Sequence, residues 1–327
     1  MGRKSLSILA LLAILLVACY VALQRDEKPA RVEREALFPG LAGQLAGVRA
    51  LEVRRPGQPE VRVQRDGSGW VMPAKADYPV RAQPVAEVLR ALHEARKVEA
   101  KTDNPALFGR LGLSEDGAVE MQATRLSLER DDAAPLVLLV GKPARQGKGQ
   151  LVRVPGETQV WLIDRDIELP QTELAWLDRR VAAVPFASIR RLDVRQAQAG
   201  RLTLLRETKE QANFRVEQLT ADKKLPSESA ANAIPALFAN LEFADAAPLQ
   251  QLTFTKPAVL SFSLETFSGG QLSGRVHAQG DQYWLVEDSR ANLADGEWPG
   301  HSDWAYRLEP YQYQTLATTL QGLLGKS

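Results

Sequence analysis

The chain has 327 residues, 45% of them hydrophobic and 25% charged, with 41 Lys and Arg against 40 Asp and Glu. This is a globular composition, which excludes collagen-like and disordered chains, and a net charge of +1 gives no field for phosphate neutralisation, so nucleic acid is not an expected partner. One cysteine forms no internal disulfide and three histidines leave little material for a zinc or haem site, so no cofactor and no metal are expected.

Met1-Gly-Arg-Lys4 is a short basic start, and Ser5 to Leu23 is a run of 19 residues without a charge, closed by Gln24, Arg25, Asp26 and Glu27. At about 1.5 Å per residue this run makes roughly 28 Å of helix, the thickness of a bilayer core. A cleaved signal peptide has a shorter apolar region, so residues 1–23 read as an uncleaved signal anchor, a single transmembrane helix. Leu16-Val17-Ala18-Cys19 also fits a bacterial lipoprotein signal with Cys19 lipidated, although the apolar residues Tyr20 to Leu23 follow it. Lys and Arg flank both ends, so the positive-inside rule does not fix the orientation. The order of basic start, apolar run and large domain is that of an export signal. The expectation is a single-pass protein of a bacterial inner membrane with its soluble part in the periplasm.

Residues 24–44 are charged and proline-containing and read as a linker. Val48 to Arg54 and Val61 to Arg65 alternate apolar and polar residues as half-buried strands do, Asp66-Gly67 is a hairpin turn, and Trp70 to Met72 follows as a strand. Val85, Val88, Leu89 and Leu92 fall at helical spacing between Ala82 and Arg96. Strands are expected at Arg125–Arg130, Leu136–Val140, Gln150–Val154 and Val160–Asp164, and a short helical connector at Leu174–Arg180.

The same order returns 141 residues later. Ile189 to Arg195 matches Val48 to Arg54, Leu202 to Arg206 matches Val61 to Arg65, and Phe214 stands for Trp70. A helix is expected from Ser227 to Asn240, then strands at Val259–Thr266, Gln271–His277 and Gln282–Glu287, and a terminal helix from Tyr311 to Leu324. The expected fold is α+β: after the anchor, two tandem, similar modules at 45–180 and 181–327, each an antiparallel β-sheet with one packed helix.

Trp70, Tyr78-Pro79, the helix carrying Val85, Leu89 and Leu92, Leu107-Phe-Gly-Arg-Leu111-Gly112-Leu113, Val140-Gly141, Leu151-Val-Arg153, Val160-Trp161 and Leu177-Asp-Arg-Arg180 stand in an order that resembles the bacterial domain-of-unknown-function family DUF4340. The resemblance covers roughly residues 65 to 250. It implies a protein anchored by one N-terminal helix and encoded beside the permease and substrate-binding-like components of gliding-type ABC transporters; the Leu16 to Cys19 run departs from the family's plain anchor. It supplies no catalytic residue.

Few residues offer chemistry. Gly141 to Gly149 contains glycines and Lys148, but a P-loop needs four residues between its glycines and Ser or Thr after the lysine, whereas Gly149 follows here. His301-Ser302-Asp303 are sequence neighbours that point different ways, whereas a triad is assembled from distant segments. Their setting, Trp298-Pro-Gly-His301-Ser-Asp-Trp304-Ala-Tyr306, concentrates aromatics in a Gly/Pro loop, so Trp298, His301, Trp304 and Tyr306 are candidate partner contacts, or else cover the end of the second module. His93 and His277 lack ligands at metal spacing; Asp77, Glu115-Asp116 and Asp131-Asp132 read as turn formers. The functional expectation is a non-catalytic, membrane-anchored accessory or binding protein associated with ABC permease and ATPase subunits. The alternative is an envelope glycan- or peptide-acting hydrolase or transferase using Asp77 or the His301 loop.

Overall fold

The structure, a computed structural model, describes residues 34–131, 133–144 and 148–325. The expected anchor with Cys19 lies outside the described residues. Among those residues no helix is long and apolar enough to cross a membrane.

Strands β1 (Val48–Arg54), β2 (Val61–Asp66), β3 (Gly69–Met72) and β4 (Tyr78–Val80) lead to helix α1 (Ala82–Glu94) and strand β5 (Lys97–Thr102). The short helix α2 (Phe108–Leu111) precedes β6 (Thr124–Arg130), β7 (Ala133–Pro143), β8 (Gln150–Arg153) and β9 (Val160–Ile163). Then come β10 (Arg180–Ala182), β11 (Ile189–Gln196), β12 (Gly200–Leu205) and β13 (Arg215–Val216). Helix α3 (Ala233–Ala236), β14 (Leu241–Glu242), β15 (Asp245–Pro248), β16 (Leu260–Thr266), β17 (Gln271–Gln279), β18 (Gln282–Ala291) and β19 (Trp304–Leu308) follow, and α4 (Pro310–Leu316) and α5 (Leu320–Leu324) close the described chain. The fold is α+β, with mostly antiparallel sheets and few helices.

Compactness divides the chain into two units, one of residues up to 46, 89–124 and 137–167, the other of residues 47–88, 125–136 and 168–327. This division falls inside α1 and β7 and so differs from the boundary suggested by the repeat. In the smaller unit β7, β8, β9 and β5 are neighbours in that order. Leu37 and Leu41 are buried there, and the Leu37 amide donates to the Ala95 carbonyl at 2.9 Å. The chain is therefore already packed within the stretch expected to be linker, because its apolar residues gain more from burial than a charged tether does.

The larger unit carries strands in the order β4-β3-β2-β1-β6 and an eight-stranded sheet in the order β13-β12-β11-β16-β17-β18-β19-β15. Alternation decides which face is buried: Leu192 and Val194 point inward while Arg195 is exposed. The registers repeat. Leu51 pairs Val63 and Leu128, and 141 residues on Leu192 pairs Leu204 and Leu264. The irregularity between Val48 and Ala50 returns between Ile189 and Arg191. Arg65 lies 5.1 Å from the centre of the Trp70 ring, and Arg206 lies 4.5 Å from that of Phe214.

Three helical expectations are corrected. Between Ser227 and Asn240 only Ala233–Ala236 is α-helical, continued by a 3-10 turn at Leu237–Ala239. Pro235 has no N–H for the carbonyl of Ala231 and its ring crowds that carbonyl, so the helix cannot extend backwards; Asn232 instead accepts from the Phe214 amide at 2.9 Å. The terminal helix is broken into α4 and α5, because the Gln196 side chain takes the Ala317 and Thr318 carbonyls at 2.8 and 3.2 Å and Thr319 caps a new start. The Leu174–Arg180 connector is helical only as a 3-10 turn over Glu173–Trp176, capped by Thr172.

Gly141 permits a close approach of chains in the smaller unit. A Cβ there would lie 2.7 Å from the Leu111 carbonyl oxygen and 2.7 Å from Leu113 Cγ. Gly141→Ala is expected to lower unfolding stability by about 1–3 kcal/mol in urea titrations, whereas Gly43→Ala, with nothing within 4 Å of the new Cβ, stays within about 0.5 kcal/mol of the parent.

Candidate functional site

The smaller unit contains a cleft of about 1060 Å³. Its apolar lining is Leu107, Leu111, Leu151 and Leu162, with Pro143 and Ala144 at the end of β7. All four leucines are half-buried, which leaves apolar surface facing the opening. Polar groups are confined to the rim: Glu99, Lys101 and Thr102 from β5, Arg110 from α2 and Lys142 from β7. Glu99 accepts from Lys101 at 2.6 Å. Lys142 Nζ donates to the Arg110 backbone carbonyl at 3.0 Å, which ties β7 to α2. Among the described residues no carboxylate forms an ion pair with Lys142 or Arg110, and the rim carries three positive side chains against one negative. An apolar hollow with a few charged groups at its mouth is the usual form of a small-molecule site.

Local chemistry explains how the cleft is held. Asn104 caps the turn Pro105–Leu107 by accepting from the Ala106 amide, and α2 ends at Gly112, whose φ of 67° is the left-handed conformation that glycine adopts without cost. The reversal sends Leu113 into a core with Phe108, Ala123, Leu139 and Val160. Behind it Arg153, only 6% exposed, lies 4.4 Å from the centre of the Phe108 ring. Its guanidinium donates to the Glu157 and Leu113 carbonyls at 2.9 and 3.2 Å and to Glu115 at 2.9 Å. Both terminal nitrogens of this buried cation thus have acceptors, and its Nε has none among the described residues. Glu115 thus has a partner beyond its turn.

The four aromatic-loop residues lie elsewhere, in the larger unit. Trp304 and Tyr306 belong to strand β19 rather than to a loop, and Trp298, Trp304 and Tyr306 are 5%, 7% and 0% exposed; only His301 faces solvent. Trp298 Nε1 donates to the buried Glu287 at 2.7 Å, and Arg290 donates to the carbonyls of Trp298 and Gly300. Tyr78 joins this group from β4: its ring meets Trp304 edge-on at 4.8 Å, Phe243 at 5.2 Å and His301 at 5.8 Å. Burial raises the Tyr78 phenol far above its ordinary value, with the neighbouring Tyr306 hydroxyl adding to the shift. Burial also pushes Tyr306 up to about 12, against the opposing effects of His301 and Tyr78. The His301 amide donates to the Tyr306 hydroxyl at 2.5 Å. These groups are structural partners, and no hydrogen bond links the side chains of His301, Ser302 and Asp303 to one another among the described residues.

Ala76 and Asp77, with φ of 49° and 62°, turn the chain so that Tyr78 enters the interior, while the Asp77 side chain stays exposed. His277 stacks on Phe254 at 4.3 Å, and burial lowers its pKa. Arg145 to Gly147, at the centre of the phosphate-loop-like segment, and Asp132 lie outside the described residues. Among the described residues no group of three His, Cys, Asp or Glu could hold a metal ion.

A second, shallower depression of about 320 Å³ in the larger unit is lined by Asp193, Arg201, Ser263 and Asp288 among others. Asp193 is buried against its charge, but hydrogen bonds from Arg191 at 2.7 Å, Thr203 at 2.6 Å and Arg201 at 2.6 Å outweigh this and hold the carboxyl below its ordinary range.

Two outcomes follow from these environments. Tyr78→Ala is expected to cost about 3–5 kcal/mol, the loss for a buried ring, and Tyr78→Phe, which keeps the ring, less than about 1.5 kcal/mol, both read by urea unfolding. Because the folded pKa of Asp193 is lowered, its contribution is complete above the unfolded value of about 3.9 and disappears as pH falls through the folded one. Asp193→Asn therefore lowers stability at neutral pH by about 1–3 kcal/mol and flattens the loss of melting temperature below about pH 4.

No curated protein and no solved structure matches the chain. The family model described as Domain of unknown function (DUF4340) matches residues 70–262, more than half of the 327 residues. The match takes in Trp70, Tyr78, the Leu107–Leu113 segment, Gly141, Arg153 and Leu177, and the chain belongs to the DUF4340 family.

Proposed function

We propose that this protein is a membrane-tethered binding component of a bacterial envelope, working beside the permease and ATPase of a gliding-type ABC transporter and binding its ligand without transforming it. The observation that carries the binding role is the composition of the cleft. Leu107, Leu111 and Leu151, which line it, and Gly112 and Gly141, which shape it, all fall in the segments through which the chain resembles its family.

The tether is supported by the uncharged run Ser5–Leu23, long enough for one span. In this reading the run stays as an inner-membrane anchor and the rest of the chain is periplasmic; lipidation of Cys19 is the variant that would replace the span by an acyl tether. The association with an ABC system is supported by what the family resemblance implies. The equal registers at Leu51 and Leu192, and the shared irregularity at Val48 and Ile189, support an origin of the two halves as tandem copies of one α+β module.

Full-length protein tagged at Ser327, purified from mildly solubilised membranes and analysed by mass spectrometry, is expected to bring a permease and its ATPase in comparable amounts. Recovery of the protein alone, at several detergent strengths, removes the transporter role.

A further inference from the structure

We infer that the cleft of the smaller unit takes a single acyl chain carrying an anionic headgroup, a carboxylate or a phosphate. This rests on the reading of that cleft as the binding site and adds the class of ligand.

Three features point to that chemistry. The lining is aliphatic: Leu107, Leu111, Leu151 and Leu162 supply contact but no hydrogen bonds, so the inserted part of the ligand must need none. An alkyl chain meets that condition and a peptide backbone does not, since its N–H and C=O groups must be paired when taken from water. The charge on the exposed lining is predominantly positive: Lys142 reaches the Arg110 backbone carbonyl, neither Arg110 nor Lys142 has a carboxylate partner among the described residues, and Lys101 is paired with Glu99. Finally, the opposite edge of β5 is already engaged at its start, where the Lys97 amide donates to the Glu35 carbonyl at 2.9 Å and Arg96 bridges Ala36, so an added peptide strand finds that end taken. Arg and Lys on long apolar stems can fold over a bound chain and still reach a headgroup. Affinity should rise about fourfold per methylene until the cleft is filled.

The test places a photoreactive benzoylphenylalanine at Leu107 of the full-length chain in cells, with a second chain carrying it at Thr102 in case the first fails to fold. After irradiation the adduct is identified by mass and fragmentation. An acyl adduct with an acidic headgroup, reduced at least tenfold by Arg110→Glu with Lys142→Glu and unchanged by Arg195→Glu, is the expected result; fragmentation separates a free fatty acid from a lysophospholipid. A neutral lipid, or an acyl adduct indifferent to the charge reversal, overturns the inference. A polypeptide adduct overturns it while leaving the cleft a binding site, and no adduct at either position removes both.

Discussion

The Tyr78 ring, buried and edge-on to Trp304, Phe243 and His301, is the contact on which the larger unit depends. Strand β4 has only three residues, too few to hold itself in place by its ladder. It is fixed instead by the ring, by the bridge of Val80 to Leu177, by the Arg81 amide on the Trp176 carbonyl and by Lys75 on Asp245 at 3.0 Å. Tyr78 comes from the first half of the chain and its aromatic partners come from the second. Edge-to-face packing has a preferred geometry, so the cluster specifies an arrangement as well as contributing burial.

The family's characteristic positions divide between two physical roles. Trp70, Tyr78, Val85 and Leu177 are buried in the larger unit. In the smaller unit Leu107 and Leu111 line the cleft, Gly141 permits the close approach of the Leu111–Leu113 segment, and buried Arg153 holds that segment from behind. Near-neutral overall charge conceals the second role. A sum of +1 over the chain coexists with an unbalanced rim, because electrostatic recognition depends on local grouping and not on totals.

The strands were legible from sequence because alternation is a local property; Val48–Arg54 is a strand with the bounds its pattern predicts. The helices after residue 227 were legible only in part: Pro235 is a local stop, but Gln196, which interrupts the terminal helix, and Phe214, whose amide binds Asn232, are distant in sequence. Trp304 and Tyr306 read as loop aromatics because Pro299 and Gly300 precede them, and nothing local reveals that Tyr78 packs against them. The cleft was equally hidden. Its glycines and leucines stand out as family positions, but a hollow exists only when Leu111 and Gly141, thirty residues apart, are in contact.

The chain order of the Tyr78 cluster bears on biosynthesis. Tyr78 is made 226 residues before Trp304, an interval of roughly 10–45 s at about 5–20 residues per second. For that time the Tyr78 ring lacks the Trp304 it packs against, while all segments of the smaller unit, complete by residue 167, can already close. The two units therefore mature in succession, and the last to be finished contains some of the first residues made. The Tyr78 cluster is complete only when Trp304 has been added, so the larger unit gains this part of its stability near the end of synthesis.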